Sequence, residues 1–314
     1  MHGPLPVRSR VYRNHHLDST YWDHIKLRND DIVISTSLKT GTTWMQRIVS
    51  LLILGPGPLP GSLAMLSPWI DSRFWLTAEE MAELAEAQTH RRFFKSHLPL
   101  DALPYDSKLK YVYVGRDGRD VFMSFLNHWA SYTDVMYERL NGGTDLVGEP
   151  LRPCPDDLHA VFRDWVSRGS FSWEQDGYPF WSHLYHARSF WGFRHLPNVF
   201  FVHFNELKNG LEGEMRRLAA FLGIDAPESS WPALVDGATF DTMKKEADAL
   251  IPEFELGFKG GGKAFINKGT NGRWRDVLTP DELAQYEVAV RRSLTPECAR
   301  WLEHGRAAGD PKKL

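Results

Sequence analysis

Apolar positions along this chain fall into short β-branched or aromatic runs separated by longer stretches with helical spacing. Residues 31–35 (DIVIS) form the first run, 92–95 (RFFK) and 110–114 (KYVYV) the next two, and 198–204 (NVFFVHF) the fourth. Each is short and bounded by turn residues, as buried strands are. Between and after them the spacing predicts helices over 44–54, 77–88, from near 119, 156–168, 180–195, 206–222, and after Thr279. Gly55-Pro56-Gly57-Pro58 stops the first helix and Gly223 the one at 206–222. Thr77 and Glu80 read as a capping box, and Thr279-Pro280-Asp281-Glu282 as an N-cap, a proline at N1 and an acidic first turn.

Strands alternating with helices imply βαβ units, hence an α/β fold: one domain with a central parallel sheet flanked by helices. Right-handed crossovers then place ligands at the C-terminal ends of the strands. We expect an N-terminal extension over residues 1–29 packing on the domain, the domain itself over 30–306, and a tail over 307–314. Residues 141–155 and 257–272 have no clear period. The second, with Gly260-Gly261-Gly262 between Lys259 and Lys263, reads as a flexible, lid-like loop.

Composition narrows the function. Of the 314 residues, 37 are Lys or Arg and 40 are Asp or Glu, a formal charge of −3 that excludes a general nucleic-acid binder. Any anion site must therefore be local. The only two cysteines, Cys154 and Cys298, are far apart in sequence and suit a reducing compartment. Residues 1–10 carry no apolar signal core, and the apolar run at 48–54 is too short for a bilayer, so a cytoplasmic protein without a membrane span is expected. Thirteen histidines include the adjacent His15 and His16 and the pair His183 and His186, but no helical metal-binding pattern accompanies them. No metal site is expected.

Four places carry anion chemistry. After the first strand, Lys39, Thr40, Gly41, Thr42 and Thr43 lead into a helix N-terminus, where free N–H groups and the helix dipole favour a phosphate. This is no Walker A loop, because the lysine precedes the single glycine. The second strand ends in Lys95-Ser96-His97, which places an imidazole at the ligand edge of the sheet. The third leads to Arg116, with Asp120 and Ser124 on one face of the following helix. Near the C-terminus, Asn267-Lys268-Gly269-Thr270-Asn271-Gly272-Arg273 offers a further polar clamp. Of the abundant aromatics, Trp69, Phe74, Trp75, Trp129, Tyr132, Trp173, Phe180 and Trp181 fall in segments expected to flank a pocket; core packing is the competing use. A kinase-like ATP-dependent phosphotransferase and a non-catalytic nucleotide-binding module on the same fold remain as alternatives.

These segments, in this order, resemble the cytosolic-type sulfotransferases that use 3′-phosphoadenosine-5′-phosphosulfate (PAPS). Residues 36–44 resemble that family's P-loop-like phosphosulfate-binding loop, 95–97 its catalytic segment, 116–124 its 3′-phosphate motif, and 265–279 its late glycine-rich motif. The resemblance implies that Lys39 and Thr40 to Thr43 hold the 5′-phosphosulfate and Lys95 the sulfuryl oxygens, with His97 as the general base. It places Trp44, Phe204, Thr239, Phe240 and Met243 around the adenine, and Arg116, Ser124, Asn267, Lys268 and Gly269 around the 3′-phosphate. It implies PAPS as donor, adenosine-3′,5′-bisphosphate (PAP) as product, no metal, and a hydroxyl or phenol acceptor. Residues 44–47 (WMQR) and 66–69 (LSPW) resemble bacterial members acting on glycolipids. Asn267 stands where an arginine is usual, with Lys263 or Arg273 as replacements. Phe204 stands where a tyrosine is usual. Pro280 and Ala284 interrupt the family's dimer motif, leaving the oligomeric state open.

Overall fold

The computed structural model describes residues 4–143 and 145–314. Residues 1–3 of the expected N-terminal extension and residue 144 of the irregular stretch 141–155 lie outside the described residues. Four strands, β1 (Ile32–Ser35), β2 (Phe93–Ser96), β3 (Lys110–Gly115) and β4 (Val199–His203), form one parallel sheet in the order β2-β1-β3-β4. Ser35 pairs with both Ser96 and Tyr113, and Gly115 with His203, so the C-terminal ends lie nearly level. The chain moves to one side of β1 for β2 and to the other for β3. The loops leaving β1 and β3 therefore diverge and open a crevice.

Alternate strand side chains feed a core on each face of the sheet. Val33, Tyr111, Tyr113 and Phe201 pack with Phe122, Phe190 and Trp301. Ile32, Ile34, Val112, Val114 and Val202 pack on the helix Thr42–Leu54. Both expected capping boxes form, on the helices Ala78–Glu86 and Pro280–Ser293. The N-terminal segment is part of the packing: Tyr12, Leu17 and Trp22 are buried, and Trp22 Nε1 donates to Asp71 Oδ1 at 3.2 Å.

Three expectations need correction. The helix expected at 206–222 is two, Phe204–Asn209 and Leu211–Leu222. Gly210 leaves helical geometry between them, its N–H closing the first on Glu206 O and its carbonyl starting the second. The helix expected from 180 begins only at His183, because Ser182 caps it and Asp176 accepts the N–H groups of His183 and Leu184. That frees Phe180 and Trp181 to turn inward. The stretch 257–272, read as a flexible loop, contains the helix Gly261–Phe265 and is pinned to the sheet by Arg116 and Asp120. Among the described residues no helix is long and apolar enough to cross a membrane.

Candidate active site

The residue that follows each strand is Thr36, His97, Arg116 or Phe204, and the last three line one crevice, with Thr36 buried beneath it. After β1 the chain turns sharply. Gly41 has φ 117°, and a Cβ there would lie 3.1 Å from Phe204 Cδ2, so only glycine fits comfortably. The helix Thr42–Leu54 starts with no side-chain cap, which leaves its first N–H groups free for an anion. Lys39 itself has φ 66°, a conformation costing a non-glycine residue about 1–2 kcal/mol and typical of functional loops. Its Nζ rests 4.1 Å from the Phe265 ring centroid. Burial, then Arg116 and Lys95, lower its ammonium to about 7. Lys95 rests its Nζ 4.1 Å from the Trp69 centroid, and burial lowers it to about 8. Both cations thus lie on aromatic faces, a fit to an anionic ligand.

His97 is buried, with rings of Trp69 and Trp181 at 4.9 and 5.2 Å. Its Nδ1 donates to Thr36 O at 2.8 Å, which leaves Nε2 as the lone-pair nitrogen. Burial, reinforced by Lys95, holds its pKa well below the ordinary value, so the ring is neutral at pH 7 and able to accept a proton. Its backbone N–H donates to Asp71 Oδ2 at 3.1 Å, and the same oxygen receives Trp69 Nε1 at 2.8 Å.

Arg116 lies 4.0 Å over the Phe204 ring. Its guanidinium donates to Lys39 O at 3.0 Å, Thr270 O at 3.2 Å and Asn271 Oδ1 at 2.8 Å, tying the first and last anion segments together. Burial lowers it to about 10, which keeps it cationic. Gly269 has φ 60°, and a Cβ there would lie 2.8 Å from the Phe240 ring. Trp44, Phe204 and Phe240 meet edge to face at 5.4 and 6.3 Å, and Trp44 Nε1 donates to Ala238 O at 2.7 Å. Three rings so arranged offer a site for a flat base.

One crevice is lined by Lys39, Gly41, Thr42, Thr43, Trp44, Lys95, His97, Arg116, Ser124, Phe204, Phe240, Met243, Asn267, Lys268 and Gly269. Two named residues are not in it. Thr40 is buried with its hydroxyl donating to Ser37 O, and Thr239 caps the helix Phe240–Lys245. Arg273 lines the crevice, whereas Lys263 pairs with Asp248 at 2.9 Å outside it, so only Arg273 is placed to replace the arginine absent at 267. Of the aromatic candidates, Trp69, Phe74, Tyr132 and Trp181 line it. Trp75 faces a neighbouring cavity, Trp129 and Phe180 are core, and Trp173 stacks on Phe171 away from the crevice.

Sequence reasoning missed three kinds of residue. Asp71, fully buried, holds the His97 backbone and Trp69. His183 takes Ser37 Oγ at 2.6 Å on Nδ1 and donates from Nε2 to Arg116 O at 3.1 Å, locking the loops after β1 and β3 together. His16 and His128 line the crevice. No periodicity signals such contacts; only the isolated polar type in an apolar stretch hints at them. Among the described residues no group of three or more His, Cys, Asp or Glu is placed to hold a metal.

Fold and crevice fit an α/β protein that takes a phosphate-bearing ligand at its strand ends. Residues 29–296 match the family model described as the sulfotransferase domain, and the chain belongs to that family. It is similar to glycolipid sulfotransferases of Mycobacterium bovis and Mycobacterium tuberculosis, each 33% identical over 99% of both chains. It is 26% identical to rat sulfotransferase 1A1 over 85% of both chains. Its fold resembles mouse sulfotransferase SULT7A1 complexed with PAP, with TM-score 0.67, 20% identity, and 90% of both chains covered. A retinol dehydratase in complex with retinol and PAP gives TM-score 0.67 and 21% identity over 88% of this chain and 84% of that one. The chain is a sulfotransferase.

Proposed function

We propose that this sulfotransferase moves the sulfuryl group of PAPS to a hydroxyl of a glycolipid, with His97 as general base. The observation that carries the reading is the single crevice lined by an uncapped helix N-terminus with Lys39, by Arg116, Ser124 and Lys268, and by an imidazole with its lone pair on Nε2. Cations from both the loop after β1 and the segments at Arg116 and Lys268 fit a nucleotide with phosphates on both ribose ends, which ATP lacks. The matched glycolipid sulfotransferases, together with a second cavity beside the first, support the acceptor. That cavity is walled by Leu63, Met65, Trp75, Leu76, Met81 and Ile251 and shares Thr43, Trp69, Lys95 and Phe254 with the main crevice. It suits an acyl chain lying beside the reacting hydroxyl.

The donor supplies an activated sulfuryl group for in-line transfer. His97 Nε2 takes the proton of the attacking hydroxyl as its oxygen bonds to sulfur and the bond from sulfur to the bridging phosphate oxygen breaks. Lys39 and the N–H groups of Thr42 and Thr43 neutralise the charge left on the phosphate. Lys95 steadies the sulfuryl oxygens, and Trp44, Phe204 and Phe240 hold the base. Incubation with PAPS and mycobacterial glycolipid extracts, read by mass spectrometry for an added sulfo group, tests the reading. Transfer confined to simple phenols overturns the acceptor assignment.

A further inference from the structure

The cavity beside the main crevice is apolar along most of its wall, and Lys95 and Glu253 are the only charged residues among those that line it. Lys95 lies where the cavity joins the crevice, with its Nζ on the Trp69 ring, and the chemistry above assigns it to the sulfuryl oxygens. Glu253 lines the second cavity and not the crevice, so no step of the transfer uses it. It stands in the short 3-10 turn Pro252–Phe254, and its neighbours Ile251 and Phe254 belong to the same apolar wall.

The side chain of Glu253 is turned to this cavity and open to it. The residue is half-buried rather than sealed. The two side chains that act on its carboxylate, Lys95 and Ser62, both belong to the cavity wall. Burial raises its pKa, and Lys95, acting through space with no hydrogen bond between the two, favours the ionised form. Asp71, the other carboxylate that acts on Lys95, is fully buried and already accepts from Trp22, Trp69 and the His97 backbone. Glu253 is therefore the carboxylate that a ligand in the second cavity meets.

We propose that Glu253 is a specificity-determining residue that keeps anionic amphiphiles out of the second cavity, so that the enzyme takes acceptors whose apolar part carries no negative charge. Without it, Lys95 at the junction would draw a fatty carboxylate or a lipid phosphate into the cavity and hold it beside the place of the sulfuryl group. The inference rests on the reading above of this cavity as an acyl-chain site and names the residue that sets which chains enter. A carboxylate in an apolar wall, where charge is weakly screened, lowers the affinity for a second carboxylate in the same cavity roughly tenfold to a hundredfold.

The test compares ω-hydroxyoctanoate with its methyl ester, which share the reacting hydroxyl and the chain and differ in charge. Wild type is expected to prefer the ester. Glu253→Gln, nearly the same size, is expected to raise the acid-to-ester ratio of kcat/KM roughly tenfold to a hundredfold, mainly through the KM of the acid. Glu253→Asp, which keeps the charge, is expected to hold the ratio within about threefold of wild type. Leu84→Trp, which narrows the cavity from the helix Ala78–Glu86, is expected to raise the ester KM, and PAP titration checks that each variant is folded. A ratio unmoved in Glu253→Gln, or raised as much in Glu253→Asp, overturns the inference alone when Leu84→Trp still impairs the ester. Ester turnover that is absent from wild type, or untouched by Leu84→Trp, overturns the acyl-chain reading and the inference with it.

Discussion

Replacing His97 with alanine removes the bare Nε2 of the base proposed above and so tests that role. The Nδ1–H bond to Thr36 O holds the ring with Nε2 bare, and burial keeps it unprotonated. General-base catalysis contributes roughly 10²–10⁴ in rate, or about 2.7–5.5 kcal/mol of barrier. His97→Ala should therefore lower kcat by that factor at saturating acceptor. The phosphate-holding groups are elsewhere in the crevice, so the Kd for PAP should stay within about threefold, because no phosphate contact is lost. His97→Asn, which better fills the space between Trp69 and Trp181, guards against collapse of the crevice. The assay pairs steady-state PAP release with calorimetric titration of PAP. A kcat within threefold of wild type in both variants, or a PAP affinity that falls as much as kcat, refutes the reasoning. A wild-type profile of kcat/KM for the donor against pH that bends at the ordinary imidazole value, near 6.5, contradicts the buried neutral ring of the free enzyme.

Arg116→Ala should weaken PAP by about 10- to 100-fold but AMP by only a few fold, since AMP uses Arg116 only through its grip on the loop at 270–271; equal losses in competitive titrations count against a 3′-phosphate site. Lys39, lowered to about 7, must be protonated to hold the 5′-phosphate, so PAP affinity should fall as pH rises through 7 and binding near pH 7.5 should take up protons. Calorimetry in buffers of different ionisation enthalpy reads this, and proton release contradicts it. Burial holds His15, His183 and His203 at about 4 and His186 at about 3, so these rings resist the protons that the unfolded chain binds below 6.5. Each then costs about 1.4 kcal/mol of stability at pH 5.5 relative to neutral pH, and Tm should drop steeply between pH 7 and 5.5; a flat Tm there is the contrary result.

The sheet was readable because its strands are short apolar runs bounded by turn residues, and the anion segments because each follows a strand end directly. The capping boxes at Thr77 and Thr279 were equally local. What escaped was set by contacts distant along the chain. Gly210 could have been an interior helix glycine; only the packing of the two flanking helices makes it a break. Phe180 and Trp181 share one helical-looking stretch, yet the first is core and the second lines the crevice, because Ser182 and Asp176 start the helix later. Asp71, His16 and His128 are joined to the site only by folding. Hydrogen bonds join Pro179 to His128 through His15, His16 and Tyr132, and no periodicity could place these residues side by side.

A crystal structure with PAP bound tests the central claim most directly. The 5′-phosphate should lie on the N–H groups at residues 41–43 and on Lys39, the 3′-phosphate against Arg116, Ser124 and Lys268, and the adenine among Trp44, Phe204 and Phe240, with His97 Nε2 facing the vacated sulfuryl position. Nucleotide bound away from the ends of β1 and β3, or a His97 ring with Nε2 turned from the 5′-phosphate, would contradict it.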